Sequence, residues 1–380
     1  MIMNLVKIQS PARRPNRKQM QNHKQMQSDW QSGFSLIELM LALALGLVVT
    51  AGIVQLFVGN NRTNQLITGQ SRLQESARYA LDFVSRSARN SGFYGCDPEN
   101  DKIYNTLNAN WGQMFELDLT VPVQGFDGTG NGNGIADWSP SLAALPRNVG
   151  GTAIIPANGI DITTLVPLSD ILVLRYQIAP GYRITQQIDP NADPIIENNG
   201  DVDFEVGDYA VISDCEQAAI FRITGLSGGA NLTLARNTGT GTFDNRAGVS
   251  LSQQGLAYGN SLDHAGSVVA KVNTDIFFVA ESTNENNRGD AVTSLWRKRG
   301  TDAPVELVEG ISDLQILFGI DSTPSDDESS ANRYVTYGAV GNNIVRSIRV
   351  SIEANTVDVV SDSPEPISRT FTQTISVRNS

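Results

Sequence analysis

Two hydrophobic patterns divide this chain. The first is an unbroken apolar run: from Leu39 to Asn61 no residue carries a charge, over 23 positions. As a helix at about 1.5 Å per residue that run is about 35 Å long, enough to cross a hydrocarbon core of about 30 Å. Beyond it Leu66, Leu73, Ala77, Leu81, Val84 and Ala88 recur at spacings of three, four or seven, which marks one face of a continuing helix. Arg78–Asp82 and Asp82–Arg86 set opposite charges four apart along it. Gly59 and Gly69 weaken it locally, at about 1 kcal/mol each relative to alanine, and Asn90-Ser91-Gly92 reads as its stop. The spacing predicts one long helix, with a first half that spans a membrane and a second half packed on a globular head.

The second pattern has period two. Strands are predicted at Asp170–Gln177, Val206–Ser213 and Ala219–Thr224, the last two as a hairpin. More follow at Ser267–Val272, Asp275–Ala280, Val292–Arg297, Val305–Val308 and Leu314–Phe318. Near the end Ile348, Val350 and Ile352, and then Phe371 and Ile375, alternate with polar residues. Residues 97–165 are rich in Gly, Asn, Asp and Pro and read as loop. The fold class expected is α+β: a long N-terminal helix packed on a mostly antiparallel β-sheet head.

Within that loop, Phe126–Asp137 has an Asn-x-Asn-Gly core that fits positions three, five and six of a calcium loop. Thr129 and Pro140 would then stand at positions one and twelve, and neither suits a ligand there, so a surface loop is the expectation.

Charge sharpens the picture. The chain of 380 residues is 40% hydrophobic and 18% charged, with net charge −12. Residues 1–33 hold Lys7, Arg13, Arg14, Arg17, Lys18 and Lys24 against Asp29, so taking +5 from −12 leaves −17 on the remainder. Basic residues before the span and acidic ones after it place the N-terminus in the cytoplasm and the bulk outside. So acidic a body would repel a phosphate backbone, and no nucleic-acid partner is expected. Met20 and Met26 are alternative starts for the N-terminal segment.

Immediately before the apolar run stands Gly33-Phe34-Ser35-Leu36-Ile37-Glu38. A plain anchor does not need that order, and a signal peptide is cut after its apolar region, not before it. The motif resembles the processing site of type IV pilins and type II secretion pseudopilins. The resemblance implies that a prepilin peptidase cuts between Gly33 and Phe34, that Phe34 is then N-methylated, and that residues 1–33 are a cleaved cytoplasmic leader. It further implies a spine helix over 34–90 with its transmembrane segment at about 36–58, and a periplasmic or extracellular head over 91–380. Glu38, fifth in the mature chain, matches the glutamate thought to pair with the N-terminal amine of a neighbouring subunit during assembly. A carboxylate near a bilayer core needs a partner; the alternative is that Glu38 reaches out to water.

Further pieces resemble the PilW type of minor pilin: Ser91–Cys96 after the helix, Ser169–Tyr176, Gly207-Asp208 through Ser213-Asp214-Cys215, Leu307–Asp321, and Val345–Val350. For this family the resemblance implies a low-copy subunit near the pilus tip. Such a subunit primes assembly with other minor pilins, the major pilin and a tip adhesin, and supports twitching motility and attachment. Its route runs from the inner membrane to the fibre at the cell surface. A large minor pseudopilin of a type II secretion system shares the same anchor and stays open as an alternative, as do an anchored periplasmic enzyme and a DNA-uptake pilin.

Two cysteines, Cys96 and Cys215, suggest a disulfide in a periplasmic domain. In the chain-entropy picture it would stabilise the head by about 5 kcal/mol. Two separate buried thiols are the alternative. The only histidines are His23 and His264, too few for a zinc site or a triad. No metal, cofactor or catalytic set is expected, and the acid runs Asp201–Glu205 and Asp326–Glu328 read as solvated faces.

Overall fold

The computed structural model describes residues 33–95, 103–130, 134–145, 147–149, 152–155, 159–178, 180–186, 188–214, 217–253, 255–259, 266–323, 330–360 and 365–377. One helix, α1, runs from Leu36 to Asn90. It contributes to two compact units, one ending at Gly59 and one starting at Asn60. In the first unit its side chains are exposed throughout, and its apolar window is long enough to cross a membrane. In the second, Leu73, Ala77, Ala80, Val84 and Ala88 are buried, while Leu66 and Leu81 are half-buried at the margins of that face. The helix stops at a glycine with the left-handed backbone that only glycine adopts freely: Gly92 has φ 77°, and its N–H donates to the Arg175 carbonyl at 3.0 Å.

Gly69 departs from its reading as a local weakness. A Cβ there would lie 3.1 Å from Val360 Cγ1 and 3.3 Å from Thr356 Cγ2. The missing side chain lets the segment between the last two strands, Val345–Asn355 and Ser368–Ser376, approach the helix.

The main strands of the second unit are, in chain order, β1 (Val123–Gly128), β2 (Ile171–Gln177), β3 (Tyr209–Ser213), β4 (Ala218–Arg222) and β5 (Val268–Glu285). They continue with β6 (Ala291–Arg299), β7 (Val305–Glu309), β8 (Ile311–Ile320), β9 (Val345–Asn355) and β10 (Ser368–Ser376). The first seven belong to a ten-stranded sheet, and β8, β9 and β10 to a four-stranded one. The predicted hairpin forms as β3 against β4, Tyr209 opposite Arg222 and Ser213 opposite Ala218.

At the centre lies β5, 18 residues long. Val268–Lys271 pair with β3, Val272–Phe277 with β2, and Asp275–Glu285 with β6, with a bulge before Glu285. The alternation pattern had cut this strand in two at Asn273-Thr274. Both polar residues are buried in the strand because partners meet them: the Asn273 amide donates to Tyr176 Oη at 2.8 Å, and the Thr274 hydroxyl donates to the Glu116 carbonyl.

A second correction concerns residues 97–165, read as loop. They contain Ile103–Asn105, which runs parallel to the start of β4, then β1, and short strands at Trp138–Ser139, Arg147–Val149, Thr152–Ile155 and Ile160–Asp161. Ile103–Asn105 and β1 pair with strands distant in sequence, while the others pair within the segment over too few residues to show a period.

The sheet is buried on both faces, as in layered folds with cover on each side. Leu172 and Leu174 of β2 and Phe277 and Val279 of β5 join the helix face in one core. Their neighbours Ile171, Val173, Ile276 and Phe278 point the other way, onto Phe126, Trp138 and Leu142. The four-stranded sheet presents Leu314, Ile316, Phe318, Ile348, Val350, Ile352 and Ile375 to the helix core, one face by strict alternation. The result is the expected helix packed on a mostly antiparallel head.

Candidate functional site

The predicted processing and assembly residues open the first unit. Phe34 is 87% exposed and lies just before the helix. Ser35 is the helix N-cap: its carbonyl accepts the Leu39 N–H at 3.1 Å. Its own N–H donates to Glu38 Oε2 at 3.1 Å. Glu38, third in the helix, thus reaches back to the cap, which satisfies one of the unpaired donors of the first turn. It also sets a negative charge at the positive end of the helix dipole. Read for its charge alone, Glu38 looked solitary; the Ser-x-x-Glu spacing of Ser35 and Glu38 carried the capping signal in the sequence.

After the cap come Leu36, Ile37, Leu39, Met40, Leu41, Leu43, Leu45, Leu47, Val48, Val49, Ile53, Val54, Leu56, Phe57 and Val58, all exposed apolar side chains. The one hydroxyl among them, on Thr50, donates to the Gly46 carbonyl at 2.7 Å. That hydroxyl is thereby satisfied within the helix, as a hydrocarbon environment requires; Gln55 is the other uncharged polar side chain of the stretch.

In the second unit α1 is held by polar contacts as well as apolar ones. The Ser87 hydroxyl donates to Asp275 Oδ2 at 2.6 Å, and Tyr176 Oη donates to the same oxygen at 2.6 Å. Arg299 reaches Asp275 with Nε at 2.8 Å and Nη2 at 3.2 Å. Asp275 is fully buried. Burial pushes its carboxyl up, but the bonds from Arg299, Ser87 and Tyr176 outweigh that and hold it below the ordinary value. One carboxylate thereby joins the helix to β2, β5 and β6.

Next to Tyr176, Arg175 is buried entirely and is read by carbonyls, not by acids. Nε and Nη2 donate to the Phe115 carbonyl and Nη1 to that of Val121; Nη2 also reaches Gln124 Oε1 at 2.8 Å. Burial lowers its pKa. Asp170 joins the two sheets: Oδ1 accepts the Gly128 N–H and Oδ2 the Ile316 N–H, each at 2.8 Å. Burial raises its pKa to about 7 despite those two bonds, and nearby Asp127 and Asp313 add to the rise. Sequence reading singled out none of these three as functional, because a buried charge cannot be told from a surface one in a β-rich run.

The calcium-like segment is occupied differently. Asp127 accepts the N–H groups of Tyr337 at 3.1 Å and Gly338 at 3.2 Å. Asp137 accepts the Gly134 N–H at 3.2 Å, and its carbonyl takes the Thr129 hydroxyl at 2.7 Å. Part of the predicted surface loop is therefore strand and 3₁₀ turn. Among the described residues no group of three or more His, Cys, Asp or Glu is placed to hold a metal ion. In the other acid run, Asp203 bonds Tyr182 Oη at 2.8 Å.

His264, the acid run Asp326–Glu328, and Cys96 and Cys215 lie outside the described residues. The residues that flank the two cysteines do meet. Gly95, with φ 114°, has so little room that a Cβ would collide with the Ser213 side chain.

Comparison with known families adds two matches. Residues 31–54 match the prokaryotic N-terminal methylation motif. Residues 276–369 match type IV pilus-assembly protein W. The two matches together support a PilW-type pilin. No curated protein and no solved structure matches it.

The PilW match begins inside β5, covers β6 to β9 and ends at Arg369, the second residue of β10. It thus takes in Arg299, one partner of Asp275, and all of the four-stranded sheet's central pair. PilW-type pilins are structural components of pili, not enzymes. The prepilin-type motif and the long apolar helix together support a membrane anchor.

Proposed function

We propose that this chain is a minor pilin that helps to initiate type IV pilus assembly near the tip, with other minor pilins, the major pilin and a tip adhesin. Twitching motility and attachment follow from that role. Prepilin peptidase cuts between Gly33 and Phe34 on the cytoplasmic side of the inner membrane, and Phe34 is N-methylated. The head faces the periplasm until the subunit enters the fibre at the cell surface. The single observation that carries this reading is an exposed, bilayer-length helix, capped by Glu38, at the start of a chain with a PilW-type head. Such a helix can leave lipid for a bundle of like helices, so apolar contact is exchanged and not lost to water. A head as large as residues 91–380 would crowd a regular filament, which favours low copy number at an end.

In assembly, the amine of a neighbouring Phe34 replaces the Ser35 N–H as the partner of Glu38, a charged donor for a neutral one. Substituting Glu38→Val removes that pairing, and fractionated pili from such cells then contain little of the protein, with membrane levels and processing intact. Unchanged incorporation would count against the pairing. Deleting the gene should abolish surface pili; loss of secreted enzymes with pili retained would instead favour a type II secretion pseudopilin.

A further inference from the structure

Between β5 and β6 the chain reads Asn286-Asn287-Arg288-Gly289-Asp290. The two strands close over it as a hairpin. Glu285 stands opposite Ala291, the Asn286 N–H donates to the Asp290 carbonyl at 3.0 Å, and the Gly289 N–H donates to the Asn286 carbonyl at 3.0 Å. Those bonds describe a β-turn followed by a residue in the left-handed region. Gly289 holds that position, with φ 81° and no steric cost.

The loop is fixed from two sides. Within it, Asn286 Oδ1 accepts the N–H groups of Arg288 at 2.8 Å and of Asp290 at 3.0 Å. From outside, the segment between β9 and β10 grips Asn287. The Asn287 N–H donates to Asp358 Oδ1 at 2.9 Å, its amide donates to the Val359 carbonyl at 3.1 Å, and its Oδ1 accepts the Val359 N–H at 3.1 Å. The same segment is seated at Gly69 of α1 through Thr356 and Val360.

The turn thus employs Asn286, Asn287 and Gly289. It leaves Arg288 and Asp290 on either side of the glycine, both exposed. The third position of such a turn takes most residue types, so turn chemistry does not select a guanidinium at Arg288. Asp290 Oδ2 accepts the Asn286 amide at 3.2 Å, which leaves Oδ1 as an open acceptor.

A single carboxylate with an oxygen to spare can fill one place in the octahedral shell of a divalent cation whose other ligands come from elsewhere. A guanidinium offers its planar fork to a carboxylate. An Arg-Gly-Asp tripeptide at a hairpin tip therefore fits a receptor face that holds a divalent cation beside an acidic pocket. Because its backbone is already fixed, the loop loses little freedom on docking.

We propose that Arg288-Gly289-Asp290 is a docking loop for a metal-dependent cell-surface receptor, with Asp290 on the receptor's divalent cation and Arg288 in its acidic pocket. The proposal gives the attachment reading a partner, and rests on that reading for the head's place outside the cell.

The test uses the full-length protein purified in detergent. The probe is the immobilised ectodomain of an integrin that binds Arg-Gly-Asp peptides, loaded with Mg²⁺. Binding should be saturable, vanish with EDTA, and be displaced by a linear Gly-Arg-Gly-Asp-Ser peptide but not by the peptide with Glu for Asp. Among the described residues this chain has no metal-holding group, so the EDTA effect reads the probe's cation. Asp290→Glu keeps the charge but shifts the carboxylate from its octahedral place; it should weaken binding about thirtyfold or more, as loss of a hot-spot contact does, with the thermal midpoint unchanged. Arg288→Lys keeps the charge, loses the fork, and should also weaken binding. An absence of saturable binding, binding that survives EDTA, or full binding by Asp290→Glu overturns the proposal. Binding is read on the isolated chain, whereas Glu38→Val in fractionated pili reads the pilus role, so the two readings can fail separately.

Discussion

Asp170 offers a direct test of how the two sheets are joined. Asp170 is 5% exposed, and its carboxyl is held between the Gly128 and Ile316 N–H groups. Burial moves its pKa from 3.8 to about 7. At about 1.4 kcal/mol per pH unit, that is a ceiling of about 4 kcal/mol of linkage between its titration and folding. The sign follows from the direction. The folded value lies above the unfolded one, so the contribution is fully present below pH 3.8 and is lost as pH rises through about 7. Substituting Asp170→Asn removes the titration and keeps one acceptor, but turns an amide donor toward the second N–H, a loss of about 1–3 kcal/mol. The assay is urea unfolding of a soluble form beginning near Asn60, the start of the second compact unit, for both proteins between pH 5 and pH 8. At pH 5 the native protein should be the more stable by a few kcal/mol, and the gap should narrow or reverse by pH 8. Parallel pH profiles for the two proteins would refute the assignment of that dependence to Asp170.

Two further predictions concern the rest of the head. Asp275→Asn should lower the unfolding free energy by about 3 kcal/mol, since it leaves Arg299 without its charge partner. Because the folded value of Asp275 is lowered, its stabilisation is present above pH 3.8 and is lost as pH falls through the folded value; the native protein alone should show that acid limb in circular dichroism. Cys96→Ser should remove a mobility difference between reduced and non-reduced gels and cost about 2–5 kcal/mol; identical mobility of the oxidised and reduced native chain would exclude the bridge.

How much of this was legible in the sequence depended on whether the signal was local. The helix from Leu36 to Asn90 and the long strands were, because spacing along a few turns or pleats fixes them. The fusion of β5 across Asn273-Thr274 was not, since the partners that accept those polar groups, Tyr176 and Glu116, lie about a hundred residues or more away. Gly69 looked like a flaw because propensity is a property of the helix, whereas its reason lies at Thr356 and Val360. At the anchor, the order Gly33-Phe34-Ser35 and the apolar run were plain. The cap on Glu38 was encoded there too, but a search for charged partners passes over a backbone N–H.

The 18-residue strand β5 has a mechanical consequence. It serves β3 with its first residues and β6 with its last, and β2 overlaps the exchange between them. Neither half of the large sheet therefore owns its central ladder. A pull that peels one half away must strip bonds from the strand on which the other half is built. The large sheet has no natural line along which to tear, and a load carried by its interior is shared across both of its halves before either gives.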